Sequence, residues 1–207
     1  MIILLFCGLM RVRDEHKESL IREKAIEMIV KKGLDGLSMQ KLAKAAGCSP
    51  ATIYIYFKDR DDLIVQLFLG EFTRMTESAL LHFDPAMSFA EGLKVQWINR
   101  AEFYMENPGT MDFLEQLRHS PHYERVYQLM DRRFFDAMGN FVHTAIQRKE
   151  LIPLSTELYW SIAFAPLYQL LKFHIGKKSF GGKKEKFLLT EEIMMKALGL
   201  VIKALTP

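Results

Sequence analysis

The chain has 207 residues, 49% of them apolar, and a formal net charge of +3. That length buries a sizeable core in one or two domains, and so small a charge surplus identifies no nucleic-acid-binding protein by its total alone. Two cysteines, Cys7 and Cys48, exclude a disulfide framework and fit a reducing cytoplasm. No apolar run reaches the roughly 18–20 residues of a membrane span.

The apolar opening MIILLFCGLM is followed by Arg11 and Arg13, whereas a secretory signal carries its positive charge first. Residues 1–13 therefore read as a loose leader, with Met10 a candidate start. Beyond it, proline and glycine are sparse and sit at breaks. Apolar residues recur at three- and four-residue spacing, so the fold class is all-α. The spacing predicts a first helix from Asp14 to Lys32, with Leu20, Ile21, Ala25, Met28 and Ile29 on one face. Gly33 stops it behind two lysines that suit the negative end of the helix dipole. Asp35-Gly36 is a turn. Ser38 caps a helix through Ala46, which Gly47 ends. Ser49 caps a very short helix from Pro50 to Phe57, and proline at the first helical position loses no hydrogen bond. Asp59 caps a fourth helix reaching Leu81. Longer helices are expected over 88–106, 110–119, from Pro121 to Lys149, over 155–175 and over 190–205. The Gly- and Lys-rich stretch 176–186 reads as an exposed loop.

Residues 38–57, SMQKLAKAAGCSPATIYIYF, form two short helices joined by a tight turn, a helix-turn-helix. A helix that enters a major groove about 12 Å wide must be thin and projecting. Ser49, Pro50, Ala51 and Thr52 are small enough to let its backbone approach. Leu42, Ala46, Ile53 and Phe57 are expected to hold the two helices together, leaving Tyr54 and Tyr56 with hydroxyls free to reach phosphates. Between residues 31 and 60 there are six Lys or Arg and two acids, a local net of +4. This is the electrostatic footprint that the whole-chain charge hides.

The stretch GLDGLSMQKLAKAAGCSPATIYIYFKDRDDLIVQLF resembles the DNA-binding signature of TetR-family regulators, a likeness that covers residues 14–75 with the first helix included. It rests on Gly33, Gly36, Ser38, Leu42-Ala43, Ala45-Ala46-Gly47, Ser49, Thr52-Ile53-Tyr54, Tyr56-Phe57-Lys58 and Asp61-Asp62-Leu63. Many relatives carry glycine in place of Ala51, and Ile55 stands where groove-facing polar or aromatic residues are common. The resemblance implies that Pro50, Ala51, Thr52 and Ile55 approach bases. It places Ser38, Gln40, Tyr54, Tyr56, Lys58 and Arg60, beside the capping Ser49, at the DNA backbone. It further implies a homodimer on a near-palindromic double-stranded operator, released as a repressor by a ligand. The expected organisation is a DNA-binding domain over 14–60 and a regulatory and dimerisation domain over 61–207, connected by the helix from about 59.

The second region is rich in aromatics and methionine. Most of these read as core. The excess predicts a cavity between helices for a small, mostly apolar ligand, lined by Trp97, Tyr104, Phe113, Gln116, Tyr127, Met130, Phe134, Phe164 and Tyr168. Asn140, His143 and Gln169 are further polar candidates. Residues 158–175 are apolar over much of their circumference and need cover on more than one side. With the last helix (Ile193, Met194, Ala197, Leu198, Val201, Ile202) they are expected to form the dimer interface. His119 and His122 read as a surface pair, since Pro121 separates them and no other ligand cluster is near. No nucleophile motif, phosphate loop or zinc spacing occurs, so neither an enzyme, a cofactor nor a metal is expected. The alternative reading is a helical small-molecule-binding protein or enzyme with a vestigial helix-turn-helix.

Overall fold

The computed structural model describes residues 14–176 and 187–207; the leader over 1–13 and nearly all of the loop expected over 176–186 lie outside them. Among the described residues the regular structure is helical throughout. Helix α1 (Glu15–Lys32) is capped by Asp14, whose side chain accepts from the Lys17 amide, and buries Ile21, Ala25 and Ile29. A single 3-10 turn (Leu34–Gly36) leads to α2 (Met39–Ala45), α3 (Pro50–Tyr56) and α4 (Arg60–Ala79). Then follow α5 (Phe89–Glu106), α6 (Pro108–Arg118), α7 (Tyr123–Leu129) and α8 (Arg133–Gln147). The chain ends with α9 (Thr156–Ala163), α10 (Ala165–Ile175) and α11 (Glu191–Leu205). No helix among the described residues is long and apolar enough to cross a membrane.

Two expected helices are each divided. The segment from Pro121 to Lys149 breaks at Met130, whose backbone is extended (φ −65°, ψ 138°). Asp131 replaces the missing helical bonds: its carboxylate accepts from the Arg133 amide at 2.8 Å and from Arg133 Nε at 2.6 Å. Such local side-chain bonds compete with helix continuation. The segment over 155–175 breaks at Phe164 because Pro166 has no N–H to give to the preceding turn. Beside that break, the Ala163 carbonyl accepts from Trp97 Nε1 at 2.8 Å.

Two apolar clusters form. One gathers α1–α3 with Leu63, Ile64, Leu67 and Phe68 of α4, and extends to Phe113, Leu117, Val126 and Met130. The other gathers α5 and α8–α11 with Met75 and Ala79 of α4. The packing therefore continues past residue 60 through α4, and α6 lies against α1, α4 and α5.

Within the second cluster, α5 approaches Phe141 of α8 so closely that a Cβ at Gly92 would lie 2.4 Å from the ring. Alanine normally gains about 0.5–1 kcal/mol over glycine inside a helix. Overpacking a filled core costs about 1–3 kcal/mol. The clash is expected to win, because Phe141 is fully buried and also stacks on Phe89. Gly92→Ala should thus lower the urea midpoint; an unchanged or raised midpoint would show that Phe141 has room to move.

Candidate functional site

The turn between α2 and α3 is built by three residues. Gly47 takes a left-handed backbone (φ 60°), which glycine adopts without strain. The Cys48 amide bonds back to the Ala43 carbonyl at 2.9 Å. Ser49 Oγ then accepts from the Thr52 amide and lies 2.9 Å from Thr52 Oγ1, so α3 starts abruptly after the turn. Leu42, Ala46, Ile53 and Phe57 are buried between the helices as expected, and the Arg22 guanidinium lies over the Phe57 ring at 5.0 Å.

The residues left facing solvent form one surface. Tyr54 is 53% exposed and Ile55 43% exposed, two neighbouring large side chains left uncovered on α3. Ser49, Pro50, Ala51, Lys58 and Gln40 are exposed beside them, with Lys41 and Lys44 on α2. Ser38 precedes α2, half-buried, and its side chain makes no capping bond.

Three of the expected contact residues are placed otherwise. Tyr56 is buried on the α3 face that carries Thr52 and Ile53, and its hydroxyl donates to the Asp14 carbonyl and accepts from the Asp14 amide. The expectation of an outward hydroxyl holds for Tyr54 and is corrected for Tyr56, which ties α3 to the start of α1. Arg60 donates to the carbonyls of Leu34 and Leu37, bracing the turn that precedes α2. Thr52 is buried, with its hydroxyl against Ser49.

Away from this surface, a cavity of about 480 Å³ is walled by α4–α8 and α9–α10. Tyr104, Tyr127, Met130, Phe134 and Tyr168 line it, as expected from the sequence. Trp97, Phe113, Gln116 and Phe164 do not. Trp97 is fully buried and held by the Ala163 carbonyl, and Phe113 belongs to the cluster under α1. Phe164 lies behind Arg100, with its ring centre 4.5 Å from the guanidinium carbon. Gln116 is half-buried away from the cavity, and Asn140, His143 and Gln169 are exposed.

The polar wall consists of residues that sequence reasoning missed: Arg100, Glu115, Arg118, His119 and Lys172. Arg100 had a visible signal. It falls on the apolar stripe Phe89, Leu93, Trp97 and Tyr104 at helical spacing, where a charge is out of place. Burial pushes the Tyr104 phenol above the ordinary tyrosine range, so it faces the cavity as a neutral group. His122 stands apart from this wall, with Nε2 3.8 Å from Asp61 Oδ1.

A family model described as bacterial regulatory proteins of the tetR family matches residues 21–67, from within α1 to the first half of α4. An HTH-type transcriptional regulator of Haemophilus influenzae is 29% identical over 136 residues, covering 66% of this chain and 71% of its own. The fatty acid metabolism regulator protein of Bacillus subtilis is 37% identical over 60 residues, 28% of this chain and 31% of that one. A solved TetR family transcription regulator from Marinobacter aquaeolei superposes with a TM-score of 0.81 at 27% identity, over 95% of this chain and 99% of that one. The two-core helical fold and the helix-turn-helix at its N-terminal end agree with these likenesses, which together support a DNA-binding transcriptional regulator of the TetR type.

Proposed function

We propose that the protein is a dimeric repressor that holds a near-palindromic operator through α3 and leaves it when a small ligand fills the cavity. The observation that carries this reading is the solvent-facing surface of α2 and α3, with Tyr54 and Ile55 uncovered among lysines. In this reading Pro50, Ala51 and Ile55 approach bases, and Ser38, Gln40, Ser49, Tyr54 and Lys58 contact the sugar-phosphate backbone. Tyr56 and Arg60 act one step removed, by fixing α3 and the preceding turn. Thr52 supports the start of α3 through Ser49.

The dimer face follows from what α10 and α11 leave exposed. Of the α11 stripe expected to meet a partner, Leu198 and Val201 are buried inside the subunit, while Met194, Ala197 and Ile202 are half-buried and Ile193 is exposed. The outward side carries Ile193 and Leu200, the latter 66% exposed, and Ala165 is exposed at the start of α10. Isologous packing of this face would cover it and set two copies of α3 about one DNA turn apart. The ligand acts by favouring an arrangement with the wrong spacing, since only differential affinity shifts such an equilibrium. The walls contributed by α4 and α6 support this link, because α4 leads out of the helix-turn-helix and α6 packs on α1.

In vitro selection from random DNA should enrich a near-palindrome, with affinity falling steeply as salt rises because cations on the protein displace counterions. Lys58→Ala should weaken binding to every sequence alike and reduce the salt slope of the dimer by about 1.8, roughly 0.9 for each subunit's lost phosphate contact. Changes at Ile55 should instead alter the enriched motif. Selection that enriches nothing would defeat the reading, and a Lys58→Ala protein with altered base preference would overturn the division of roles.

Light scattering tests the interface separately. Leu200→Glu and Ala165→Glu should give folded monomers with poor operator binding. Leu198→Glu should unfold the subunit, because it buries a charge without a partner. A wild-type monomer at micromolar concentration would remove the dimer from the account.

A further inference from the structure

Arg100 is 1% exposed, yet no carboxylate among the described residues neutralises it. Its Nη1 donates to Tyr168 Oη at 2.8 Å and faces Met75 Sδ at 3.7 Å, and its Nη2 donates to Gln96 Oε1 at 3.1 Å. All three partners are neutral. Its Nε, also buried, has no hydrogen-bond partner among the described residues. The rings of Phe134, Trp160 and Phe164 surround the guanidinium, with centres 4.5–5.4 Å from its central carbon. These rings offset part of the cost of removing a cation from water. They supply no acceptor for the idle N–H. An arginine stays cationic when buried, so the site retains a full positive charge in an apolar setting.

The cavity wall repeats this imbalance. It includes three cations, Arg100, Arg118 and Lys172, against one carboxylate, Glu115. Glu115 is already committed to Lys172, at 2.7 Å. Tyr104 adds a neutral phenol, and the remaining surface is mostly aromatic and methionine. A cavity of about 480 Å³ falls within the range of small-molecule sites. A cationic or neutral ligand would leave Arg100 as it is. An anion would give it the missing partner, and charge-assisted bonds are among the strongest available in a site sheltered from water.

Resting on the reading of this cavity as the effector site, we propose that its ligand is a small apolar monocarboxylic acid whose carboxylate pairs with Arg100. Its apolar body lies against Phe72, Met111, Phe134 and Trp160. Arg118 and Lys172, both exposed, stand at the cavity's outer wall and attract the acid before it enters.

The test is calorimetry on the full-length protein without DNA. The probes are straight-chain and aryl-substituted monocarboxylates of about six to twelve carbons, each with its matched primary alcohol and primary amine. The best acid should bind about 10–100-fold more tightly than its alcohol, the span a charge-assisted bond covers. The amine should not bind. Arg100→Met, similar in length and neutral, should bind the alcohol and lose the preference for the acid, whereas Arg118→Gln should slow acid association and keep the preference. Equal binding of acid and alcohol to the wild type would overturn the proposal whether or not Arg100→Met folds. So would absence of binding by every acid, or an acid preference that survives in Arg100→Met. Operator binding measured without any ligand keeps the two readings apart: a protein that selects DNA and ignores acids loses only this inference.

Discussion

Leu63, Ile64, Leu67 and Phe68 of α4 are buried against α1–α3, and Met75 and Ala79 of the same helix are buried in the core built on α5. One continuous helix therefore belongs to two apolar cores, and neither can be displaced without moving α4. Between the two sets sits Glu71, 8% exposed. Its carboxylate accepts from Thr110 Oγ1 at 2.7 Å and from Arg74 Nη1 at 2.8 Å, and Arg74 Nη2 reaches Asn107. A buried carboxylate is tolerable only with such partners, since removing one leaves a costly uncompensated charge. Glu71 thus pins the first turn of α6 to the middle of α4. On the same face of α6, one and two turns further on, Phe113 and Leu117 enter the core under α1.

On the proposed reading, this arrangement would carry the effect of a ligand in the cavity to the DNA-binding surface. Phe68, Phe72 and Met75 of α4 and Met111, Leu114 and Arg118 of α6 are cavity walls. The same two helices hold the helix-turn-helix from below. At the far end of α4, the Ala79 carbonyl accepts from Gln96 Nε2 at 2.6 Å and from Asn99 Nδ2 at 3.1 Å, and Gln96 in turn accepts from Arg100. The polar centre of the cavity is therefore wired to the end of the helix that carries the DNA-binding unit. Close-packed interiors transmit such displacements because they have no slack to absorb them.

The helix-turn-helix was legible in the sequence because its determinants are local. Gly47, the Ser49-Pro50 start and the Asp59 cap act within one or two turns, and the structure uses each as read. The division of α9 from α10 was equally local, yet the apolar girth of the segment masked the signal of Pro166. The break at Met130 depends on Asp131 bonding its own neighbourhood, which periodicity does not register. Cavity lining was least legible. An aromatic on the inner side of a helix faces either a gap or another side chain, and only the packed fold decides. Trp97 and Phe113 met filled core while Tyr104 and Tyr168 met space. On α11, apolar residues lie on two sides, and the inward set of Leu198 and Val201 was indistinguishable by spacing from the outward set of Ile193 and Leu200.

The central claim is that α4 joins the two cores into one mechanical unit. Native-state hydrogen exchange in increasing denaturant measures this residue by residue. The account predicts that amides from Ile64 to Ala79 exchange in one slow class, through the same opening that exposes both the core under α1 and the core around α5. Fast exchange confined to Leu69–Arg74, with the two flanking cores opening independently at different denaturant concentrations, would contradict it.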